Sequence, residues 1–119
     1  MRPRVYITQP VAASAIERLQ QAADVDWNRD PLHIATREEL LAAARTHDVI
    51  FCLLHDRIDR GIIEANPRLR MIASTTITPA DIDTAAATER GIPVTTVPAA
   101  LLDDATADLA WALMLGAAR

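Results

Sequence analysis

The sequence has 119 residues, of which 50% are hydrophobic and 24% are charged, so it is long enough for one compact domain and too short for two ordinary ones. Its formal net charge of −4 argues against a nucleic-acid partner, because affinity for nucleic acid depends largely on Lys and Arg neutralising phosphates. The three glycines form neither G-x-G-x-x-G nor G-x-x-x-x-G-K-[ST], which excludes a complete nucleotide-dependent enzyme within this chain.

Five short apolar runs predict strands, and the residues between them follow helical patterns. The strands are expected at residues 5–7, 24–27, 49–53, 69–73 and 92–95. Between the first two runs, apolar residues recur at spacings of three and four, namely at Ala12, Ala15, Ile16, Leu19 and Ala23. That spacing is typical of a helix with one apolar face.

Three further helices carry recognisable end signals. Thr36 and Glu39 have the spacing of a capping box, which predicts that the second helix begins here. Asp59 is placed to cap a third helix, which stops before the next proline because proline disfavours helical geometry in the residue before it. The fourth helix is expected at residues 83–90, with Asp83 as its N-cap and Gly91 as the left-handed residue that ends it.

Strands that alternate with helices over short connections favour a parallel sheet with helices on both faces. We therefore predict an α/β fold of the flavodoxin-like class, with five strands in the order 2-1-3-4-5. Ligands of such sheets bind at the carboxyl ends of the strands, near the point where the strand order reverses. Four loops are expected at these ends, at residues 8–10, 54–56, 74–80 and 96–98.

The last predicted helix differs from the others. It begins near Asp103 with two acidic residues that suit the positive end of a helix dipole, and it becomes apolar on every side from Leu109 onward. One face of a sheet cannot bury all of this surface. The pattern reaches Arg119 without a Gly, Asn or Pro that would end the helix, so we expect a further domain or a partner to cover it.

Three features favour a cytoplasmic protein without a membrane segment. The longest apolar run, Leu109–Ala118, is shorter than the roughly 20 residues that cross a bilayer. The start MRPRVY leads into neither the apolar run nor the cleavage site of a signal peptide, and the only cysteine, Cys52, cannot form an internal disulfide. Because Cys52 lies in an apolar run, we expect an inert buried thiol.

Two stretches of the sequence carry more specific motifs: RGIPVT at residues 90–95, followed by Pro98, and DATADLAWALML at residues 104–115. They resemble the D-isomer-specific 2-hydroxyacid dehydrogenases, the family of glyoxylate/hydroxypyruvate reductase. Further similarity lies at residues 56–59, 65–73, 82–83 and 85–86. The resemblance therefore covers essentially the whole chain.

The resemblance implies that the chain has two parts and that the whole protein is an enzyme. Residues 1–101 would form a flavodoxin-like substrate-binding domain, and residues 102–119 would begin the inter-domain helix that leads to an NAD-binding Rossmann domain. The implied activity is that of an oxidoreductase that uses NAD or NADP to interconvert small 2-hydroxy and 2-oxo acids. The family's catalytic Arg, Glu and His have no counterpart here, so we expect no catalytic or cofactor-binding residue and no activity from this fragment alone.

The implied partners are the small 2-oxo or 2-hydroxy acid, the missing Rossmann domain and a second copy of the chain in a homo-oligomer. No metal site is predicted, because His33 and His47 have no neighbour at a metal-ligand spacing. A freestanding module that binds a small anion without catalysis is the alternative. A phospho-receiver domain shares the topology, but the loop at residues 8–10 lacks the acidic cluster that it needs.

The loop after the fourth strand is the predicted carboxylate site. The resemblance implies that backbone N–H groups of a Val-Gly-x-Asp pattern face the substrate, and Ile77-Thr78-Pro79-Ala80 occupies those positions here. Thr78 stands where glycine is usual and Ala80 where an acid is usual. A β-branched residue would be strained at positive φ and would crowd the ligand. Substrate binding is nevertheless assigned to Ile77 and Thr78.

Three side chains near that loop complete the predicted substrate site. Ser74 and Thr76 belong to a hydroxyl-rich segment that either binds an anion or satisfies the turn backbone. His55 follows the third strand, where it could hydrogen-bond an anionic substrate, the alternative being a solvated loop histidine.

Overall fold

The computed structural model describes residues 1–79 and 81–119, so that Ala80 of the predicted carboxylate loop lies outside the described residues. Five strands form one parallel sheet in the order β2-β1-β3-β4-β5, which confirms the predicted fold class and topology. The strands are β1 (Arg4–Ile7), β2 (Asp24–Trp27), β3 (Val49–Cys52), β4 (Met71–Ser74) and β5 (Val94–Thr95).

The last strand is shorter than the sequence pattern predicts, because Ile92 and Pro93, the first two residues of the predicted strand, make other contacts. The Ile92 N–H donates to the Ala87 carbonyl at 2.9 Å, which ties Ile92 to the preceding helix. Pro93 has no N–H to give to a neighbouring strand, and only its carbonyl takes part, accepting from the Ile72 N–H at 3.1 Å.

The helices lie between the strands, as predicted, and a short 3₁₀ turn at Ala99–Leu101 precedes the last one. They are α1 (Ala13–Gln20), α2 (Arg37–Thr46), α3 (Arg60–Glu64), α4 (Thr84–Glu89) and α5 (Asp103–Ala117). None of these helices, which lie within residues 1–79 and 81–119, has the length and hydropathy that crossing a bilayer requires.

The predicted helix ends are confirmed by their hydrogen bonds. The Thr36 hydroxyl accepts from the Glu39 N–H at 3.2 Å, and the Glu39 carboxylate accepts from the Thr36 N–H at 2.7 Å, which completes the capping box of α2. Asp59 and Asp83 each accept the backbone N–H three residues on, at 3.0 and 2.9 Å, and so cap α3 and α4. Gly91 follows α4 with φ +64°, the left-handed conformation that favours glycine.

The two faces of the sheet are covered unequally. Helices α2, α3 and α4 pack on the face that carries Ile50 and Ile72, which are 1% and 0% exposed. Helix α1 covers the other face only beside β1 and β2, through Ile16. Beyond it lies an open apolar hollow of about 340 Å³. The hollow is lined in part by side chains that are only partly buried, namely Val49, Phe51, Met71 and Ala73.

Helix α5 extends away from the sheet, and none of its residues is buried. Its large apolar side chains Leu113 and Met114 are 64% and 61% exposed. The 3₁₀ turn ends at Leu101 and α5 begins at Asp103, next to the predicted boundary between residues 1–101 and 102–119. The assignment of these ranges to two domains stays a prediction.

Candidate functional site

The carboxyl ends of β1, β3 and β4 bring polar side chains to one edge of the sheet. Thr8 follows β1, Asp56 lies four residues after β3, and Ser74 ends β4. Strand β1 lies between β2 and β3, so the chain leaves β1 towards one side for β2 and returns to its other side for β3. This reversal creates the crevice in which open parallel sheets bind ligands.

Asp56 is the most deeply buried acidic side chain at this edge, with 1% of its surface exposed. Its Oδ2 accepts hydrogen bonds from the Thr8 hydroxyl and from the Leu53 N–H, the latter at 2.8 Å. Its Oδ1 has no hydrogen-bond partner in the described part of the chain. The carboxylate thus joins the end of β1 to the loop after β3.

Thr8 and Asp56 lie in loops that the sequence nominated, but sequence reasoning did not select either residue. The sequence did contain a signal for this pair. Each residue is polar and follows one of the two apolar strands, β1 and β3, between which the strand order reverses. The pairing itself could not be read from sequence, since the two residues are 48 positions apart.

His55 lies next to Asp56 but faces a different set of groups. Its Nε2 is 2.9 Å from Nε2 of Gln9, and the same Gln9 nitrogen donates to the His33 carbonyl at 3.2 Å. An amide nitrogen only donates, so the hydrogen-bond network assigns the acceptor form to His55 Nε2 and leaves Nδ1 as the protonated nitrogen. The exposed His55 ring therefore keeps Nδ1–H as a donor that has no partner among the described residues.

The hydroxyls of the loop after β4 are engaged with one another. The Thr76 hydroxyl donates to the Thr78 carbonyl, and the Ser74 hydroxyl lies 2.6 Å from the Thr76 hydroxyl. Because a hydroxyl has only one proton, Ser74 donates to Thr76. The Thr76 N–H donates in turn to the Ser74 hydroxyl at 3.1 Å. Both hydroxyl protons are thus used inside the loop, which leaves Ser74 and Thr76 without a free side-chain donor for an anion.

The backbone N–H groups of Ile77 and Thr78 are different, since neither has a hydrogen-bond partner within residues 1–79 and 81–119. Both residues are exposed at the strand end. None of the described non-glycine residues has a positive φ. Thr78 therefore does not adopt the left-handed backbone conformation that favours glycine. The strain considered for Thr78 from the sequence is therefore absent.

The structure places the five predicted site residues in three different surroundings. Ser74, Thr76 and Thr78 line a small cavity together with Asp56. His55 belongs to the network with Gln9 and His33. Ile77 lies exposed beyond the cavity. Their binding of a substrate stays a prediction.

The described residues provide no cradle for a dinucleotide. Gly91 is the only glycine with positive φ, and it ends α4 rather than opening a helix after a strand. A Cβ at Gly61 would lie 2.7 Å from the Arg37 guanidinium, so that position is already filled by a side chain. The donor-rich, glycine-lined turn that would hold a pyrophosphate is missing from these residues.

Cys52 is buried beneath the site, with 1% of its surface exposed. Burial, assisted by the nearby negative charge of Asp56, raises the pKa of the Cys52 thiol to about 12. The reactive thiolate of Cys52 is therefore much scarcer at neutral pH than that of an ordinary cysteine.

We expect N-ethylmaleimide at pH 7.5 to leave Cys52 of the folded chain unmodified and to label it stoichiometrically in guanidinium chloride. Intact-mass measurement at fixed times reads both results. Rapid labelling of the folded chain would contradict the buried position of the thiol.

Known proteins with similar sequences belong to one family of enzymes. The family model described as D-isomer specific 2-hydroxyacid dehydrogenase, catalytic domain, matches residues 5–114. The chain belongs to that family. A glyoxylate reductase of Thermococcus kodakarensis is 41% identical over 119 residues, which cover 100% of this chain and 35% of that protein. A glyoxylate reductase of Aeropyrum pernix is 42% identical and is covered to the same 35%.

Solved structures agree with the family assignment. The TT0316 protein of Thermus thermophilus superimposes with a TM-score of 0.86 and is 33% identical, over 98% of this chain and 37% of that one. The chain thus spans little more than a third of the length of the relatives that it matches. The predicted resemblance to the dehydrogenase family is confirmed.

Proposed function

We propose that the chain is the substrate-binding part of an NAD(P)-dependent oxidoreductase that acts on small 2-hydroxy and 2-oxo acids. Family membership supports the reaction class, and relatives of 41% and 42% identity are named glyoxylate reductases. Glyoxylate is therefore the first substrate to test. The dinucleotide is held by a domain outside this chain, since the described residues offer no cradle for it.

The observation that carries the proposal is the pair of backbone N–H groups at Ile77 and Thr78, which have no hydrogen-bond partner among the described residues. They lie one strand away from the strand-order reversal, where ligands of parallel sheets bind. Two neighbouring backbone donors suit a carboxylate, which accepts hydrogen bonds at both of its oxygens. The role of this chain is to hold the carboxylate of the acid and thereby to orient the carbon that reacts.

The remaining side chains shape the site around that carboxylate. Ser74 and Thr76 keep the loop folded through their mutual hydrogen bonds. The Nδ1–H group of His55 supplies a further donor on the neighbouring loop. Asp56 is buried and is not assigned to ligand contact, because a carboxylate in direct contact with an anion would repel it.

We further propose that the protein is cytoplasmic and works as a homo-oligomer. The lone buried cysteine suits a reducing compartment. The exposed apolar surface of α5 suits contact with a second copy or with the dinucleotide-binding domain.

A titration of the ¹⁵N-labelled chain with glyoxylate tests the assignment of the carboxylate loop. We expect the amide resonances of Ile77 and Thr78 to move most, because their N–H groups would gain a charged acceptor. Glycolaldehyde, which lacks the carboxylate, is the matched control and should leave them in place. Equal shifts with both compounds, or shifts confined to other loops, would contradict the proposal.

A further inference from the structure

Asp56 is a buried acid whose second oxygen has no assigned role. Its Oδ2 accepts from Thr8 and Leu53, whereas Oδ1 has no partner in the described residues. Burying a carboxylate oxygen without a donor is costly, and folded proteins nearly always supply one. The surroundings of Oδ1 should therefore contain a donor.

A small cavity of about 10 Å³ lies beside Asp56. Asp56 lines it from the β3 side, and Ser74, Thr76 and Thr78 line it from the loop after β4. A cavity of this volume holds about one water molecule, provided that two or more polar groups can bind it. The lining meets that condition.

The free donor among the lining hydroxyls is that of Thr78. The protons of Ser74 and Thr76 are committed within the loop, whereas the Thr78 hydroxyl has no hydrogen-bond partner in the part of the chain that the structure describes. Asp81 also lines the cavity, and its backbone carbonyl is occupied by the Ile58 N–H at 2.9 Å. Thr78 is thus the lining hydroxyl on the described part of the loop that is free to be linked to Asp56.

We propose that one water molecule in this cavity donates to Asp56 Oδ1 and accepts from the Thr78 hydroxyl, which makes Asp56 and Thr78 a positioning pair for the loop. Through Oδ2 the same carboxylate holds Thr8 and Leu53, so the link fastens the loop after β4 to the ends of β1 and β3. This link would give a role to the threonine at position 78, where glycine is usual in the family, because glycine has no hydroxyl.

The purpose of the link rests on the proposed function, because the N–H of Thr78 is one of the two groups assigned to the substrate carboxylate. Its existence does not depend on that assignment. A loop that is fixed before binding loses less conformational entropy when a ligand arrives.

A high-resolution crystal structure of the chain tests the link directly. We expect one ordered water within hydrogen-bond distance of both Asp56 Oδ1 and the Thr78 hydroxyl, and its loss in the Thr78→Val variant, which keeps the side-chain shape but removes the hydroxyl. A dry cavity in the unmodified chain, or a protein group bonded directly to Oδ1, would overturn the proposal.

Amide hydrogen exchange measures what the link does to the loop. The Thr76 N–H donates to Ser74, and the Val97 N–H donates to the Thr76 carbonyl at 2.9 Å. We expect these two amides to exchange about tenfold faster in Thr78→Val, as expected for the loss of one hydrogen bond, and to return to the original rate in Thr78→Ser, which restores the hydroxyl. Unchanged exchange in Thr78→Val would contradict a positioning role.

A double variant separates this link from ordinary packing effects. Asp56→Ala should also speed exchange of the Thr76 amide, and adding Thr78→Val should speed it no further, because both changes break one link. If Asp56→Ala does not fold, the Thr78→Val and Thr78→Ser pair carries the test. Glyoxylate binding is measured separately: an intact link without glyoxylate shifts refutes the proposed function, and the reverse result refutes the link.

Discussion

The 119-residue chain is expected to produce no oxidation of NADH when it is mixed with glyoxylate, hydroxypyruvate or pyruvate. Its three glycines build no pyrophosphate-binding turn, and the catalytic Arg, Glu and His that the family resemblance implies have no counterpart in it. A carboxylate-binding loop alone cannot bring a hydride donor to the substrate. The absorbance of NADH at 340 nm over hours should match a blank without protein.

The positive control is the same sequence joined in frame to the dinucleotide-binding part of a glyoxylate reductase of the family. We expect that fusion to oxidise NADH or NADPH with at least one of the three acids. Turnover by the isolated chain that disappears on substitution within residues 1–119 would show that the chain carries its own catalytic machinery, and the proposed function would then have to change.

The second large effect concerns helix α5. Because Leu113 and Met114 are more than half exposed, we expect the isolated chain to self-associate at high concentration, with these side chains in the contact. Replacing both by Glu should weaken association by about 100-fold or more, since removing two large apolar groups from an interface typically costs at least that much. Analytical ultracentrifugation over a range of concentrations gives the dissociation constants.

Leu32 offers a matched control for that experiment, since it is an apolar residue with 91% of its surface exposed and lies far from α5 in sequence. Leu32→Glu adds one negative charge where the double variant adds two, and it should leave association unchanged. A chain that sediments as a monomer at millimolar concentration, or that responds equally to Leu32→Glu, would show that α5 does not drive self-association.

Local sequence patterns predicted those parts of the fold that local physics determines. The capping box at Thr36 and Glu39, the caps at Asp59 and Asp83 and the left-handed Gly91 each depend on a few neighbouring residues. The strand order followed from the alternation of strands and helices, because right-handed crossovers leave few arrangements. The start of β5 was misplaced because Ile92 is drawn into the end of α4, a contact that apolar periodicity does not report.

The candidate site was only partly predictable, because its geometry depends on contacts between residues that are far apart in the sequence. Its loops could be nominated from the strand ends, but the partners of their side chains depend on which loops meet in space. The acceptor for Thr8 lies in another loop, and the hydroxyls of Ser74 and Thr76 turned inward to each other. The backbone conformation of Thr78 was equally inaccessible, since its departure from glycine suggested a strain that the loop avoids.

The central position of β1 also governs the order in which the sheet can assemble during synthesis. Val5 pairs with Val25 on one side and with Val49 on the other, so β1 must wait for about half of the chain before its second edge is covered. Joining β1 to β3 closes a longer loop than any other strand pairing here, and closing long loops slows folding. The Thr8–Asp56 hydrogen bond spans the same junction. The crevice at the strand-order reversal therefore lies at the junction whose formation closes the longest loop between paired strands of the sheet.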